Sequence, residues 1–76
     1  MTTKRYSVVL EKSSTGYCAY SPDVPGCITA GDTEEETYRN MRDALEFHFE
    51  GMREVGEPIP EPGGTAVGYV EVDVAA

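Results

Sequence analysis

The chain has 76 residues, of which 39% are hydrophobic and 26% are charged. This balance is typical of one small soluble domain and excludes a disordered chain. Fourteen acidic residues against six basic ones give a net charge of −8, which disfavours direct binding to nucleic acid or to an anionic membrane. The charge could attract a basic protein or serve only solubility, and composition leaves both interpretations open.

The first half of the chain predicts three short strands. Residues 5–12 alternate, with Tyr6, Val8 and Leu10 on one apolar face. A turn ending at Gly16 leads to a second strand over residues 17–21, so the first two strands should form a hairpin. Two prolines and a glycine in residues 22–26 interrupt the pattern before a third strand over residues 27–30.

A helix over residues 34–54 is the clearest local signal. Thr33 and Glu36 have the spacing of a capping box, and three glutamates in the first turn complement the positive end of the helix dipole. Gly56 is a plausible terminator. One stripe at helical spacing is the predicted core face and comprises Tyr38, Met41, Leu45, Phe49 and Met52.

The last part of the chain predicts a connector and a final strand. Residues 57–64 are rich in proline, and in residues 65–74 Val70, Val72 and Val74 alternate with polar or aromatic neighbours. The predicted fold class is therefore α+β, a single domain over residues 1–76 of order β-β-β-α-β, with one long helix on a face of an antiparallel sheet. No apolar run could cross a membrane and no signal-peptide core begins the chain, which favours the cytoplasm.

The opposite helix face suggests a protein contact. Phe47 lies about 180° from Tyr38 around the helix and stands between Asp43 and Glu50. An aromatic side chain in an acidic surround is a common anchor in protein interfaces. A single exposed apolar residue is also ordinary, so contact and chance both remain open.

The sequence predicts no enzyme and no cofactor. His48 has no nucleophile at a diagnostic spacing and fits a helix-edge residue. Carboxylates such as Asp23, Glu71 and Asp73 do not form the converging set that a metal-dependent nuclease needs. The two cysteines, Cys18 and Cys27, form no metal-binding motif and should be small buried hydrophobes, although a disulfide or a reactive thiol stays open.

Several segments together resemble the HicB-like antitoxin family. Residues 17–27, Tyr-Cys-Ala-Tyr-Ser-Pro-Asp-Val-Pro-Gly-Cys, resemble its strand-and-turn signature, and residues 29–36, Thr-Ala-Gly-Asp-Thr-Glu-Glu-Glu, resemble its helix start. Residues 56–62, Gly-Glu-Pro-Ile-Pro-Glu-Pro, and the first strand also fit the family pattern. The resemblance extends from about Tyr6 to Val72, and its motifs are specific as a set rather than singly.

The resemblance implies a partial RNase H-like fold without nuclease activity. It implies a basic HicA-like toxin as partner, an mRNA-cleaving protein whose active site the antitoxin covers. Many family members carry a C-terminal DNA-binding segment, which the sequence through Ala76 does not show, so operator binding is in doubt. The alternative function is an orphan oligomeric regulatory or scaffold domain without a toxin.

The sequence also predicts self-association and a set of partner-binding residues. A chain of this size buries only about 60% of its unfolded surface, which favours a homo-oligomer, most simply a dimer. The expected partner-binding residues lie on the outer helix face and in the turn between the second and third strands. They are Phe47, Asp43, Glu50, Asp23 and Pro25.

Overall fold

The computed structural model describes residues 2–75 and contains three strands followed by one helix. The strands are β1 (Val9–Lys12), β2 (Tyr17–Ser21) and β3 (Val24–Gly31), and the helix is α1 (Glu34–Glu54). The sheet is antiparallel in the order β1-β2-β3. The predicted hairpin, the α+β class and the long helix packed on one face of the sheet are confirmed.

Strand β1 is shorter than predicted at its N-terminal end. Val9 pairs with Tyr20, the last pair between β1 and β2, and β2 itself ends one residue later at Ser21. Residues 5–8 have no strand partner among the described residues. The Asp23 carboxylate replaces the missing partner by accepting hydrogen bonds from the Ser7 amide at 3.3 Å and the Ser7 hydroxyl at 3.1 Å.

The helix begins and ends where the sequence predicts. The Thr33 hydroxyl accepts a hydrogen bond from the Glu36 amide at 3.1 Å. The Glu36 carboxylate in turn accepts a hydrogen bond from the Asp32 amide at 2.9 Å. In the usual capping box the donor is the amide of the N-cap residue, one position later. At the other end the Gly56 amide, at a φ of 78°, donates to the Arg53 carbonyl, an arrangement typical of a glycine helix stop.

The core lies between α1 and the two longer strands. Met41 and Leu45 of the helix are buried, as predicted, against Ala19, Val24 and Cys27 of the sheet. Phe49 is partly buried, and its ring centroid lies 5.1 Å from that of Tyr6. The predicted apolar face of the first strand is thus confirmed, because Tyr6, Val8 and Leu10 all pack against the core.

The first turn of the helix corrects the predicted core face. Tyr38 is 51% exposed, whereas its neighbour Thr37 is buried. The cause is the close approach of the helix to the end of β3, since a Cβ added to Gly31 would lie 2.6 Å from the Thr37 hydroxyl. Only a small side chain fits this contact, so the helix turns Thr37 inwards and Tyr38 outwards.

The predicted final strand is absent from the described residues. Residues 65–75 form no strand, and Val70, Val72 and Val74 are 87%, 72% and 81% exposed. The alternation is present in the sequence, but a strand forms only by pairing with another strand, and no described strand pairs with this segment. The order β-β-β-α-β is therefore wrong in its last element for the single chain described here.

Candidate protein-binding surface

The outer face of α1 carries the predicted aromatic contact residue in full exposure. Phe47 is 80% exposed, and Asp43 and Glu50 are exposed on the same helix. The residues from Thr33 to Val55 include seven acidic and three basic side chains. An apolar ring in a negatively charged surround is what this face offers to a partner.

Phe47 is not isolated, because it borders a shallow depression at the C-terminal end of the helix. The depression has a volume of about 330 Å³ and is lined by Phe47, His48, Gly51, Met52, Val55 and Glu57. The depression is open at Gly51, because a Cβ atom added to this residue would have no neighbouring atom within 4 Å. Val55, 70% exposed, forms the far side.

Sequence reasoning missed this depression, although a signal for it exists. Phe47, Gly51 and Val55 recur every four residues, so they lie on one stripe of the helix surface. Because Gly51 has no side chain, the apolar period through Phe47 and Val55 is not apparent from the sequence. We call this set of residues, with Met52, the helix patch.

The structure does not place the two predicted turn residues in the helix patch. Asp23 is half-buried and holds Ser7, which is a structural role at the sheet end. Pro25 lies within β3 rather than in a turn, and its ring is exposed. Neither residue lines the depression that Phe47 borders.

The sheet face opposite the helix offers a second exposed apolar area. Tyr20 and Ile28 pair across β2 and β3 and are 40% and 74% exposed. Cys18 lies on β2 near them and is exposed, so its predicted burial is wrong.

Within the described residues, no group of three or more metal-ligating side chains is close enough to hold an ion. His48 is half-buried at the helix edge and packs edge-on to Phe49, with ring centroids 6.4 Å apart. Cys27 is a buried free thiol, as predicted, and burial raises its pKa. What the surface presents is apolar area and negative charge, which suit binding to a protein.

Comparison with known proteins identifies the family. Residues 6–73 match the family described as the HicB-like antitoxin of bacterial toxin-antitoxin systems. The match spans most of the chain, from before β1 to the end of the C-terminal segment. The chain belongs to the HicB-like antitoxin family.

Two curated relatives give the extent of the similarity. The HicB-like chain is 46% identical over 56 residues to an uncharacterised 14.9 kDa protein of Haemophilus phage HP1, covering 74% of the chain and 42% of that protein. It is 40% identical over 76 residues to Antitoxin HicB 2 of Photorhabdus laumondii, covering 95% of the chain and 53% of that protein. The chain thus spans about half the length of the curated relatives it matches.

A solved structure supports the fold. The HicB-like chain superposes on a chain of a structure described as the HicA3 and HicB3 toxin-antitoxin complex, with a TM-score of 0.70 and 32% identity. The superposition covers 79% of this chain and 70% of that chain. In the described range 2–75, no helix is both long and apolar enough to cross a membrane.

Proposed function

We propose that this HicB-like chain is an antitoxin that neutralises a HicA-type, mRNA-cleaving toxin by covering its active site. The observation that carries the proposal is the superposition on a chain of a HicA3 and HicB3 toxin-antitoxin complex. The family match over residues 6–73 supports it. On this proposal the chain acts by binding and performs no chemistry of its own, and it works in the cytoplasm, where mRNA is translated.

The charge of the chain supports a basic partner. A protein that binds RNA carries positive charge where the phosphates lie, and a net charge of −8 on the antitoxin attracts such a surface. Opposite charges raise the rate of encounter, whereas buried apolar contacts determine how slowly the complex dissociates. The acidic outer face of α1 would raise the rate of encounter, and the helix patch would slow dissociation.

We assign the toxin contact to the helix patch rather than to the β2–β3 turn. Phe47 is a large exposed side chain next to a depression, an arrangement that accepts an apolar group from the partner and buries both. Asp43 and Glu50 form the charged rim. Asp23 is already occupied by Ser7, so it is a weaker candidate for a partner.

The test of function uses a HicA-type toxin encoded in the same genome. Cleavage of an RNA substrate by the purified toxin should stop at an equimolar amount of this chain, and co-expression should restore growth. The chain alone should not cleave RNA. Undiminished toxin activity in a molar excess of folded chain would contradict the proposal and favour an orphan regulatory domain.

The contact itself is tested by Phe47→Ala, which should accelerate dissociation of the toxin complex. A buried aromatic anchor is worth about 2 kcal/mol or more, which corresponds to about a thirtyfold loss of affinity. Surface plasmon resonance measures both rates. Tyr38→Ala is the matched control, because Tyr38 is also an exposed aromatic residue of α1 but lies on the other side of the helix.

The charged rim is tested by the double change Asp43→Asn and Glu50→Gln. It should slow association and flatten its salt dependence with little effect on dissociation. Glu34→Gln with Glu35→Gln removes the same charge from the far end of the helix and should have a smaller effect. If Phe47→Ala and the rim change both leave the kinetics unaltered, the toxin contact lies on another face.

The chain's small size and its exposed apolar segments also support self-association. A domain of 76 residues gains stability from burial against a second copy. We propose a homodimer as the simplest assembly, formed by residues outside the helix patch so that the toxin site stays open.

A further inference from the structure

The depression beside the helix patch lies at the C-terminal end of α1, where backbone carbonyls carry negative partial charge. The aligned peptide dipoles of a helix place about half of an elementary negative charge at this end. The amides of Val55, Gly56 and Glu57 occupy three of the last carbonyls, but the next residue, Pro58, has no amide hydrogen. No described backbone amide donates to the carbonyls of Glu54 and Val55. The end of the helix therefore still attracts hydrogen-bond donors and positive charge.

The side chains around this end add to the negative charge. Residues 46–57 contain four acidic residues and one basic residue, Arg53. Among the described residues the one ion pair joins Lys4 to Glu61, so none of these four carboxylates is paired with a cation. One of the four, Glu57, lines the depression itself. A positively charged group that enters the depression therefore meets a carboxylate that has no partner.

The other walls of the depression are largely apolar. Phe47 and Val55 are exposed on its two sides, and Met52 is half-buried beside them. A purely apolar side chain would suit these walls but would remove water from Glu57 without replacing its hydrogen bonds, which costs free energy. The group that fits both features has an apolar stem and a cationic end.

The size of the depression selects one side chain of this kind. Its volume of about 330 Å³ is near the lower limit of sites that hold a single small molecule, about 300–1,000 Å³. Arginine and lysine both combine an apolar stem with a cationic end. Arginine fits better, because its planar guanidinium stacks on an aromatic ring and its five donors reach a carboxylate and carbonyls together. The lysine ammonium is more strongly hydrated and has fewer donors.

We infer that the helix patch binds one arginine side chain of the toxin, with its stem between Phe47 and Val55 and its guanidinium donating to Glu57 and to the open carbonyls at the end of α1. The methylene groups of this arginine are the apolar group that Phe47 buries. Glu57 is then the residue that selects a basic side chain at this position. The inference rests on the proposed function for the identity of the protein that carries the arginine.

The first experiment needs no toxin and uses the full chain with three peptides of the form acetyl-Gly-Xaa-Gly-amide. Xaa is arginine, lysine or citrulline, which has the shape of arginine without its charge. In an NMR titration at millimolar peptide, the arginine peptide should shift the amide signals of Gly51, Val55 and Glu57. It should bind about fivefold more tightly than the citrulline peptide, because a charge-assisted hydrogen bond is lost in the latter.

Two variants with the same change in charge test whether Glu57 is responsible for this preference. Glu57→Gln should remove the preference for arginine over citrulline. Glu46→Gln is the matched control and should retain it, because Glu46 is an exposed acidic residue of α1 that does not line the depression.

The second experiment locates the arginine on a HicA-type toxin by double-mutant cycles. Each surface arginine of the toxin is changed to methionine, which keeps an apolar stem and removes the charge. One such change should weaken the complex about tenfold or more, and its effect should not add to that of Glu57→Gln. The same toxin change should add fully to the effect of Glu46→Gln.

Filling the depression provides a variant that keeps every charge of the chain. Gly51→Leu places a side chain where no other atom lies within 4 Å, and leucine favours a helix more than glycine does. The variant should therefore fold, which a thermal melt checks. It should weaken the toxin complex at least as much as the loss of the toxin arginine.

The remaining outcomes separate this inference from the proposed function. Equal binding of the arginine and citrulline peptides overturns the inference, as does tighter binding of the lysine peptide. If Phe47→Ala weakens the complex but no toxin arginine is coupled to Glu57, an apolar side chain fills the depression: the proposed function stands and the inference fails. If the chain does not inhibit the toxin but selects the arginine peptide through Glu57, the arginine site stands and the proposed function fails.

Discussion

The sheet–helix unit and the C-terminal segment contain similar residues in opposite environments. Val24 in β3 is 1% exposed, whereas Val70 in the segment is 87% exposed. Local propensity would favour a strand at Val70, in the alternating residues 69–74, more than at Val24, which Pro25 and Gly26 follow. The difference is that β3 has β2 on one side and α1 above it, while the segment has neither.

The comparison teaches that strand pattern and strand formation are separate matters. Alternation tells which residues could share a face, but a strand needs a neighbour to satisfy its amides and carbonyls. The strands and the helix of residues 9–54 pair with and pack on one another. Residues 65–75 have no such partner among the described strands and helix, and they are irregular and exposed.

The largest effect should follow from Leu45→Ala in the packed unit. Leu45 is 8% exposed in the core, so its loss should lower the free energy of unfolding by about 2–5 kcal/mol. In so small a domain this could abolish the folded state, which a thermal melt followed by circular dichroism would reveal. Phe47→Ala on the same helix should change the melt little, and equal effects would show that the helix face is wrongly assigned.

A smaller effect is expected from Gly31→Ala, which tests the contact between β3 and the first helical turn. The new methyl group would lie 2.6 Å from the Thr37 hydroxyl and 2.9 Å from the Thr37 amide nitrogen. Because backbone must move, the change should cost about 1–3 kcal/mol in chemical denaturation. Gly51→Ala meets no atom within 4 Å and lies inside a helix, so it should instead stabilise by about 1 kcal/mol.

The same change made in both regions sharpens the comparison directly, and its second member, Val70→Ala, should have the smallest effect. Val24→Ala should cost on the order of 2 kcal/mol, because the removed methyl groups are buried. Val70→Ala should stay within about 0.5 kcal/mol at high dilution, where chains are monomeric. Equal losses in urea unfolding at high dilution would mean that the segment packs on its own chain.

Much of the fold follows from local signals. The Thr33 cap, the Gly56 stop and the period of the apolar residues predict the helix from Glu34 to Glu54 correctly. These signals depend on contacts within a few residues, so sequence order alone defines them. The exposure of Phe47 also follows from the helical period.

Other features depend on contacts between distant residues. Thr37 replaces Tyr38 in the core because the backbone of Gly31 comes close to the helix. Asp23 holds Ser7, sixteen residues away in the chain, from the turn between β2 and β3. No local pattern reveals either contact.

By itself the sequence determined the acidic character, the helix with its caps, the three paired strands and the resemblance to the HicB-like family. Only the tertiary structure decided that the helix patch borders a depression, that β1 is an edge strand and that the valines after Thr65 pair with no described strand. The physical reason is the distance along the chain over which each effect acts. Propensity and capping act along a few residues, whereas a pocket, an edge or an unpaired strand is defined by which distant segments meet and which do not.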